Sequence, residues 1–319
     1  MATQTTATDL PNQIAQKGNA TRNLHIGPAG FSYPHWNGVV YPGARQRAPH
    51  PVEYLAQFVD AVEINASFYQ PLKPEVTSVW AKKVEANPNF RFTAKLHQKF
   101  THERVLNGDE IKEFKDGFWP LLRSHRLGAM LMQFPWSFRF TAENRQFVID
   151  LRRAFHEFPL VAEFRHDSWM ADEAIGMLID YKIGFCNIDQ PEYTRAMPPT
   201  SVLTTGIGYV RLHGRNPDNS LGAFNQAASR RMQHNYLYSG SELAGWVPRI
   251  QHLARYAENV FVIANNDAAG KSVVNCLQLQ AMLGDPRRRA PESLLAKYPW
   301  ELHEFKGRAP VQRDLFRAA

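Results

Sequence analysis

Cysteine is nearly absent: Cys186 and Cys276 are the whole supply in 319 residues. Two thiols cannot build a disulfide framework, so the small stapled secreted class is excluded and a reducing, cytoplasmic setting is expected. Long apolar runs are missing as well. No stretch approaches the roughly 20 residues needed to span a bilayer, and the first residues lack the charged-then-apolar order of a secretory signal. No membrane partner is expected, and Asn19-Ala20-Thr21 reads as a chance glycosylation sequon. Familiar catalytic signatures are equally scarce. There is no Gly-rich dinucleotide fingerprint, no nucleophile elbow and no His-Glu-x-x-His helix, and Gly270-Lys271-Ser272 lacks the earlier glycine of a phosphate loop.

What is present is an ordinary globular composition, 44% hydrophobic and 21% charged. The net charge of +7 is unevenly spread. Residues 286–319 hold eight Lys and Arg against four Asp and Glu, a net of +4, so the body is close to neutral. A basic end of this kind can touch nucleic acid, but it lacks the dense stripe of a dedicated binder, and a solvated tail is the favoured reading. Residues 1–22 are rich in Thr, Gln, Asn and Ala with little to bury, which predicts a disordered tail.

From residue 24 onward, short β-like runs alternate with stretches of helical spacing. The runs fall at 24–29, 61–65, 90–97, 127–134, 160–165, 184–189, 207–213 and 260–267. Between them, Phe147, Leu151 and Phe155 mark one amphipathic face, and Leu243, Trp246, Ile250 and Leu253 another, with Pro248 expected to start or kink its helix. A last helix is expected over 269–283, stopped by Gly284 and Pro286. Regular alternation implies parallel βαβ units. Eight of them over 23–285 predict an α/β protein with a single TIM-like (β/α)8 barrel, flanked by the tail at 1–22 and a basic extension at 286–319. The alternative is an open doubly wound sheet.

Side chains alternate between the two faces of a strand, so a period of two sorts each run. The charged and polar set is Glu63 and Asn65, Lys95 and His97, Gln133, Glu163 and Arg165, Asn187 and Asp189, Arg211 and His213, and Asn265 and Asp267. The apolar set, with Cys186 in it, is expected to face the helices. Seven polar strand ends are hard to explain by packing, because buried charge is costly unless paired or used. In a barrel such ends converge on one mouth, the usual place for an active site. The alternative is a salt-bridged filling of the interior.

A second constellation lies at the last two strands, where barrels often bind phosphate on backbone N–H groups. His213-Gly214-Arg215-Asn216 follows the seventh strand, and Asn265-Asn266-Asp267 leads through Gly270 into a helix. The other reading makes Asp267 a simple helix cap. Phe31, Tyr33, His35, Trp36 and Tyr41 make an aromatic first loop that either stacks on a flat ligand or ties itself down, and Phe68, Tyr69 and Trp136 sit similarly past strand ends.

Several of these motifs form a collinear set. Ile26-Gly27-Pro28-Ala29-Gly30-Phe31-Ser32-Tyr33, Glu63-Ile64-Asn65 with Phe68-Tyr69, Gln133-Phe134-Pro135, Glu163-Phe164-Arg165-His166 with Ser168-Trp169, Tyr209-Val210-Arg211-Leu212-His213-Gly214 and Asn265-Asn266-Asp267 follow one another along the chain. In this the sequence resembles the YecE-like family, a domain of unknown function, over residues 24–284. The resemblance implies a TIM-like barrel and supplies no activity. The first strand departs from the family pattern, with Pro28-Ala29 where small hydroxyl residues are usual and Phe31 where Trp is usual.

Function is expected to follow from the mouth. An enzyme acting on a small phosphate- or carboxylate-bearing substrate would hold the anion with Lys95, Arg165 and Arg211. Glu63 or Glu163 would serve as general base and His97 or His213 as general acid, with Lys95, crowded by arginines, a further base. Asn65, Tyr69, His166, Gly214, Asn265, Asn266, Asp267 and Gly270 would contact the substrate. No metal is demanded, although a divalent ion on Glu63, Glu163, Asp189, His213 or Asp267 is geometrically open and would suit a phosphodiesterase or nucleic-acid repair enzyme. A non-catalytic anion-binding barrel is the third possibility.

Overall fold

Short apolar runs separated by amphipathic stretches produce eight strands, β1 (Leu24–Pro28), β2 (Ala61–Ile64), β3 (Arg91–Lys95), β4 (Leu127–Gln133), β5 (Leu160–Glu163), β6 (Gly184–Asp189), β7 (Ile207–Leu212) and β8 (Asn259–Ala264). The computed structural model describes residues 23–43, 49–216, 235–287 and 289–307; the tail expected at 1–22 and the end of the basic extension lie outside the described residues. Helices α1 (Pro51–Leu55), α2 (Ala66–Tyr69), α3 (Pro74–Lys83), α4 (Gln98–Thr101) and α5 (Gly108–Arg123) fall between β1 and β4. Then come α6 (Ala142–Ala154), α7 (Asp172–Asp180), α8 (Gly240–Tyr256), α9 (Lys271–Met282) and α10 (Glu292–Lys297).

The strands pair in the order β1-β8-β7-β6-β5-β4-β3-β2, every neighbour parallel. The ring closes between β1 and β2 on a lighter seam. Ala29 bridges Glu63, the Gly30 N–H donates to the Glu63 carbonyl at 2.7 Å, and the Asp60 N–H reaches the Ile26 carbonyl at 3.2 Å. Gly27 permits that closure, since a Cβ there would stand 1.7 Å from the Ala61 carbonyl oxygen. This is the (β/α)8 barrel that the alternation implies, and the open sheet is set aside.

Outward strand residues such as Val62, Val210 and Val262 are buried under the helices. Inside, His25 stacks on Phe261 with ring centroids 4.9 Å apart, and Phe261 lies 6.0 Å from Tyr209, so the lower barrel is packed and only its upper end is charged. Helix starts are set by local chemistry. Asn107 accepts from Asp109 and Glu110 N–H, and Thr141 from Asn144 N–H. α8 begins well ahead of Pro248, because Ser239 and Glu242 form a capping box. α9 begins at Lys271 because Ala269 and Gly270 hold left-handed backbone, with φ of 55° and 80°.

Part of the basic extension packs on the barrel. Ala290, Leu294 and Leu302 are fully buried, and β9 (Arg289–Ala290) pairs with β10 (Lys306–Gly307). Arg287 donates to Asp285 and, at the foot of β2, to Asp60. The boundary expected at 285 therefore does not end the packed structure.

Gly27→Ala is expected to lower the unfolding free energy by about 3 kcal/mol or more, because the barrel must spread to admit a methyl group. Gly245→Ala, in α8 with open space around the site, should instead stabilise by about 0.5–1 kcal/mol. Chemical denaturation of both variants checks the pair.

Candidate active site

Arg211 occupies the centre of the mouth. It sits near the end of β7 with its side chain inward and 0% exposed. Its Nη2 donates to Glu63 Oε1 at 2.8 Å, and its Nη1 to Glu163 Oε2 at 2.5 Å and to Gln133 Oε1 at 3.2 Å. One guanidinium thus ties the ends of β2, β4 and β5 to β7. Two residues earlier on the same face, the Tyr209 hydroxyl lies 2.9 Å from both Glu63 Oε2 and Thr93 Oγ1. It has one proton to give, so the carboxylate takes that proton and the Thr93 hydroxyl donates to Tyr209.

Glu163 is the second hub. Its Oε1 accepts from Arg165 Nε at 3.1 Å and lies 3.1 Å from His213 Nε2. His213 Nδ1 stands 3.2 Å from Asn265 Nδ2, an obligate donor, so Nδ1 is the acceptor and Nε2 carries the ring proton toward Glu163. Arg165 Nη2 is nearly equidistant from the two ring nitrogens, at 3.4 and 3.5 Å, which suits a cation against the ring face better than an in-plane bond. Lys95 is the exception in this network. Its Nζ has one loose ion pair, 3.8 Å from Glu63 Oε1, lies 5.8 Å from the Phe68 ring centroid, and makes no hydrogen bond among the described residues.

Proton affinities follow from the crowding. Burial pushes the Glu163 carboxyl up, but Arg211, His213 and Arg165 outweigh it and hold it well below the usual carboxylate range. Burial lowers His213 to about 3; Glu163 opposes that, while Arg165 and Arg211 reinforce it, so the ring is neutral near pH 7. Burial and Arg211 lower Lys95 to about 8 against the pull of Glu63 and Glu163. Burial, with Glu63 beside it, raises the Tyr209 phenol well above its ordinary value.

Eight of the residues expected at the mouth meet there: Glu63, Lys95, Gln133, Glu163, Arg165, Arg211, His213 and Asn265. Others do not join them. His97 caps α4, its Nδ1 accepting from Lys99 N–H at 3.1 Å. His166 points to the far side of its strand end and accepts from Ser168 N–H. Asn65 donates to the Tyr33 hydroxyl at 3.4 Å, and Tyr69 stands 62% exposed at the rim. The phosphate cradle expected beside β8 is filled by the protein itself. The Gly214 N–H donates to Tyr238 at 2.8 Å, and Asn266 Nδ2 to the Tyr236 carbonyl at 2.7 Å. Gly270 is covered by Val39, Val40 and Leu294. Asp267 caps nothing; its carboxylate lies 3.5 Å from His35 Nε2, and burial raises its pKa.

Strand β6 reverses its expected orientation. Cys186 faces the interior, where the charges of Glu163, Arg211 and Glu63 act on its thiol. Asp189 faces outward and accepts from Trp246, Tyr238 and both Nε and Nη2 of Arg215, at 2.6 to 2.9 Å. Asn187 is likewise held by the Val202 and Tyr209 carbonyls. Tyr209 and Thr93 were missed from the expected site although the same period of two, counted back from Arg211 and Lys95, reaches both. The first loop ties itself down: Trp36 is fully buried, with Nε1 on the Asp267 carbonyl at 2.8 Å, and Tyr41 donates to the Phe31 carbonyl.

No three His, Cys, Asp or Glu side chains among the described residues gather as a metal-ligand set. All four carboxylate oxygens of Glu63 and Glu163 already face donors.

Fold and site together define a (β/α)8 barrel protein with a buried charged cluster at the C-terminal ends of its strands. The chain belongs to the family described as protein of unknown function DUF72, whose pattern matches residues 25–300. Its match therefore runs on into the packed part of the extension. The UPF0759 protein YunF of Bacillus subtilis is 27% identical over 289 residues, 87% of this chain and 95% of that one. The crystal structure of a DUF72 family protein from Thermotoga maritima is similar, with a TM-score of 0.70 and 29% identity, over 82% of this chain and 99% of that one. One from Enterococcus faecalis gives 0.70 and 25%, over 82% and 95%.

Arg211→Met should cost about 3–5 kcal/mol in denaturant melts, because it strands two buried carboxylates. A pH series tests His213. Its folded pKa lies below the unfolded value of 6.5, so the unfolded chain takes up a proton that the fold refuses. Stability is expected to fall as pH drops from 6.5 toward 3, by about 1.4 kcal/mol per pH unit. His213→Gln should remove that part of the slope, and equal slopes in the two proteins would refute the assignment.

Proposed function

We propose that the mouth binds a small phosphate- or carboxylate-bearing anion and performs proton transfer on it, with Lys95 as the group that moves the proton. The observation that carries this reading is the contrast within the cluster. Every carboxylate oxygen of Glu63 and Glu163 faces a donor, and Arg211 grips both through Nη1 and Nη2 with only its buried Nε unpartnered, whereas Lys95 keeps three donors with one loose partner and 14% of its side chain exposed. Arg165 adds to it, since its Nη1 has no partner among the described residues. Three cations face two carboxylates, which leaves the site electropositive and suited to an anion.

Roles shift from those the sequence suggests. Glu163, held so far below the usual range, is a weak base, and neutral His213 already spends its proton on Glu163. Both position Arg165 and Arg211. Lys95, lowered to about 8, stands near enough to neutrality to give and take a proton. A divalent-metal reading loses support because the carboxylate oxygens are engaged.

Sulfate, whose charge is constant across the range, is the probe. Its affinity by calorimetry is expected to fall as pH rises through about 8, where Lys95 sheds its charge. Lys95→Gln should weaken binding by about tenfold and abolish the pH dependence. Unchanged affinity in Lys95→Gln would sink the reading. If substrate turnover is then found and Lys95→Gln lowers affinity alone, leaving kcat intact, the barrel binds anions without Lys95 catalysis.

A further inference from the structure

Beside the mouth, past the ends of β4, β5 and β6, lies a cavity of about 400 Å3 lined by Trp136, Arg139, His166, Ser168, Thr194 and Arg195. None of these residues serves the charged cluster. We propose that this cavity binds a planar aromatic ring carrying an acidic group, and so takes the distal part of the ligand whose anion the mouth holds. In its second half the proposal rests on the anion reading above; the cavity itself is argued from its own walls.

Those walls offer donors and cations. His166 Nδ1 accepts from the Ser168 N–H at 3.1 Å, so in the neutral ring the proton is on Nε2, which has no partner among the described residues. Burial lowers its pKa, with Arg139 and Arg195 adding to the effect and Asp167 opposing it, which keeps the ring in that neutral form. The indole Nε1 of Trp136 is buried without an acceptor. A buried donor with no acceptor is costly, which leaves the Trp136 indole poorly satisfied where it stands. The Arg139 guanidinium lies 5.6 Å from the Trp136 ring centroid and makes no ion pair among the described residues. Arg195 adds a second guanidinium. Asp167 pairs with Arg195, its Oδ1 3.0 Å from Nε, and the same oxygen stands 3.3 Å from the unprotonated His166 Nδ1 and has no hydrogen-bond partner, so Arg139 is the guanidinium without an ion pair among the described residues.

The apolar component is flat. The Trp136 ring is the stacking surface, backed by His166 at 5.4 Å and Tyr193 at 6.3 Å, both inclined to it. Tyr193 also connects the two regions, for its phenol lies within the fields of Arg165 and Glu163. The loop is pinned in place: the Asp167 N–H donates to the Arg195 carbonyl and the Met197 N–H to the Arg165 carbonyl, at 3.0 and 2.9 Å. Stacking surface, unspent donors and two guanidinium groups match an aryl carboxylate or aryl phosphate better than an aliphatic acid.

Two matched pairs of probes separate the ring from the charge: benzoate against acetate, and phenyl phosphate against methyl phosphate, titrated by calorimetry at pH 7. The aromatic member of at least one pair is expected to bind more tightly by about fivefold or more, and the better pair identifies the acidic group. Trp136→Leu should erase that preference while sulfate binding at the mouth stays as in the native protein. Arg139 is on the surface, so Arg139→Gln provides a folded variant in any case, and it should weaken the preferred aromatic anion by about fivefold. An aromatic preference below fivefold in both pairs, or one that survives both substitutions, overturns the proposal. Sulfate binding lost in Lys95→Gln but retained in Trp136→Leu assigns any failure to the cavity alone. An aromatic preference dependent on Trp136, in a protein that does not bind sulfate, would instead leave the cavity standing and remove the mouth reading.

Discussion

The upper barrel depends on one buried guanidinium shared between two buried carboxylates. Bringing Arg211, Glu63 and Glu163 out of water costs several kcal/mol per ion, and only near-complete pairing repays it. The structure supplies that pairing from four strands and their ends: Tyr209, itself held by Thr93, completes Glu63, while Arg165 and His213 complete Glu163. Such a network holds its members in fixed positions. Against that rigid background the Lys95 ammonium stands out, with one loose ion pair and no hydrogen bond among the described residues. The chemistry assigned to the mouth therefore comes from what the network does not use, with the network serving as its scaffold.

Much of this was legible from the sequence, because two periodicities carry it. Alternation of strand-like and helix-like stretches specified the barrel, and the period of two within each strand brought Glu63, Lys95, Glu163, Arg165, Arg211 and His213 to one end of it. The period does not say which set faces inward. In β6 the polar pair Asn187 and Asp189 looks like an interior pair, yet Trp246, Tyr238 and Arg215, all from later segments, satisfy Asp189 on the outer side and leave Cys186 within. Those partners are 26 to 57 residues away in the chain, beyond any local pattern. Gly270 failed as an anion cradle for the same reason, since Val40 and Leu294 reach it from opposite ends of the chain. The protonation state of His213 was also hidden, being set by burial and the joint field of two arginines.

Coverage of the mouth is asymmetric. On the side of β1 and β8, Trp36 is buried against Asp267, Tyr298 donates to the Ala269 carbonyl at 2.9 Å, and α10 lies over Gly270. The packed part of the basic extension thus closes ground that barrels often leave to phosphate. On the side of β4 to β6 the loops are cross-linked by hydrogen bonds, among them Phe140 N–H to Ser168 and Asp167 N–H to the Arg195 carbonyl, and between them lies the Trp136 cavity.

The seam between β1 and β2 has a consequence for motion. Regular ladders join the other strand pairs, the shortest being the two residue pairs between β5 and β6, whereas this one holds by the Ala29–Glu63 bridge and a few backbone bonds. Breathing of the barrel should begin there. Glu63 lies on that seam, and its side chain reaches across the lumen to Arg211 and Tyr209 on β7. The ion pair therefore acts as a latch on the barrel's lightest join, and whatever draws Arg211 away from Glu63 would loosen the wall as well as the charged cluster.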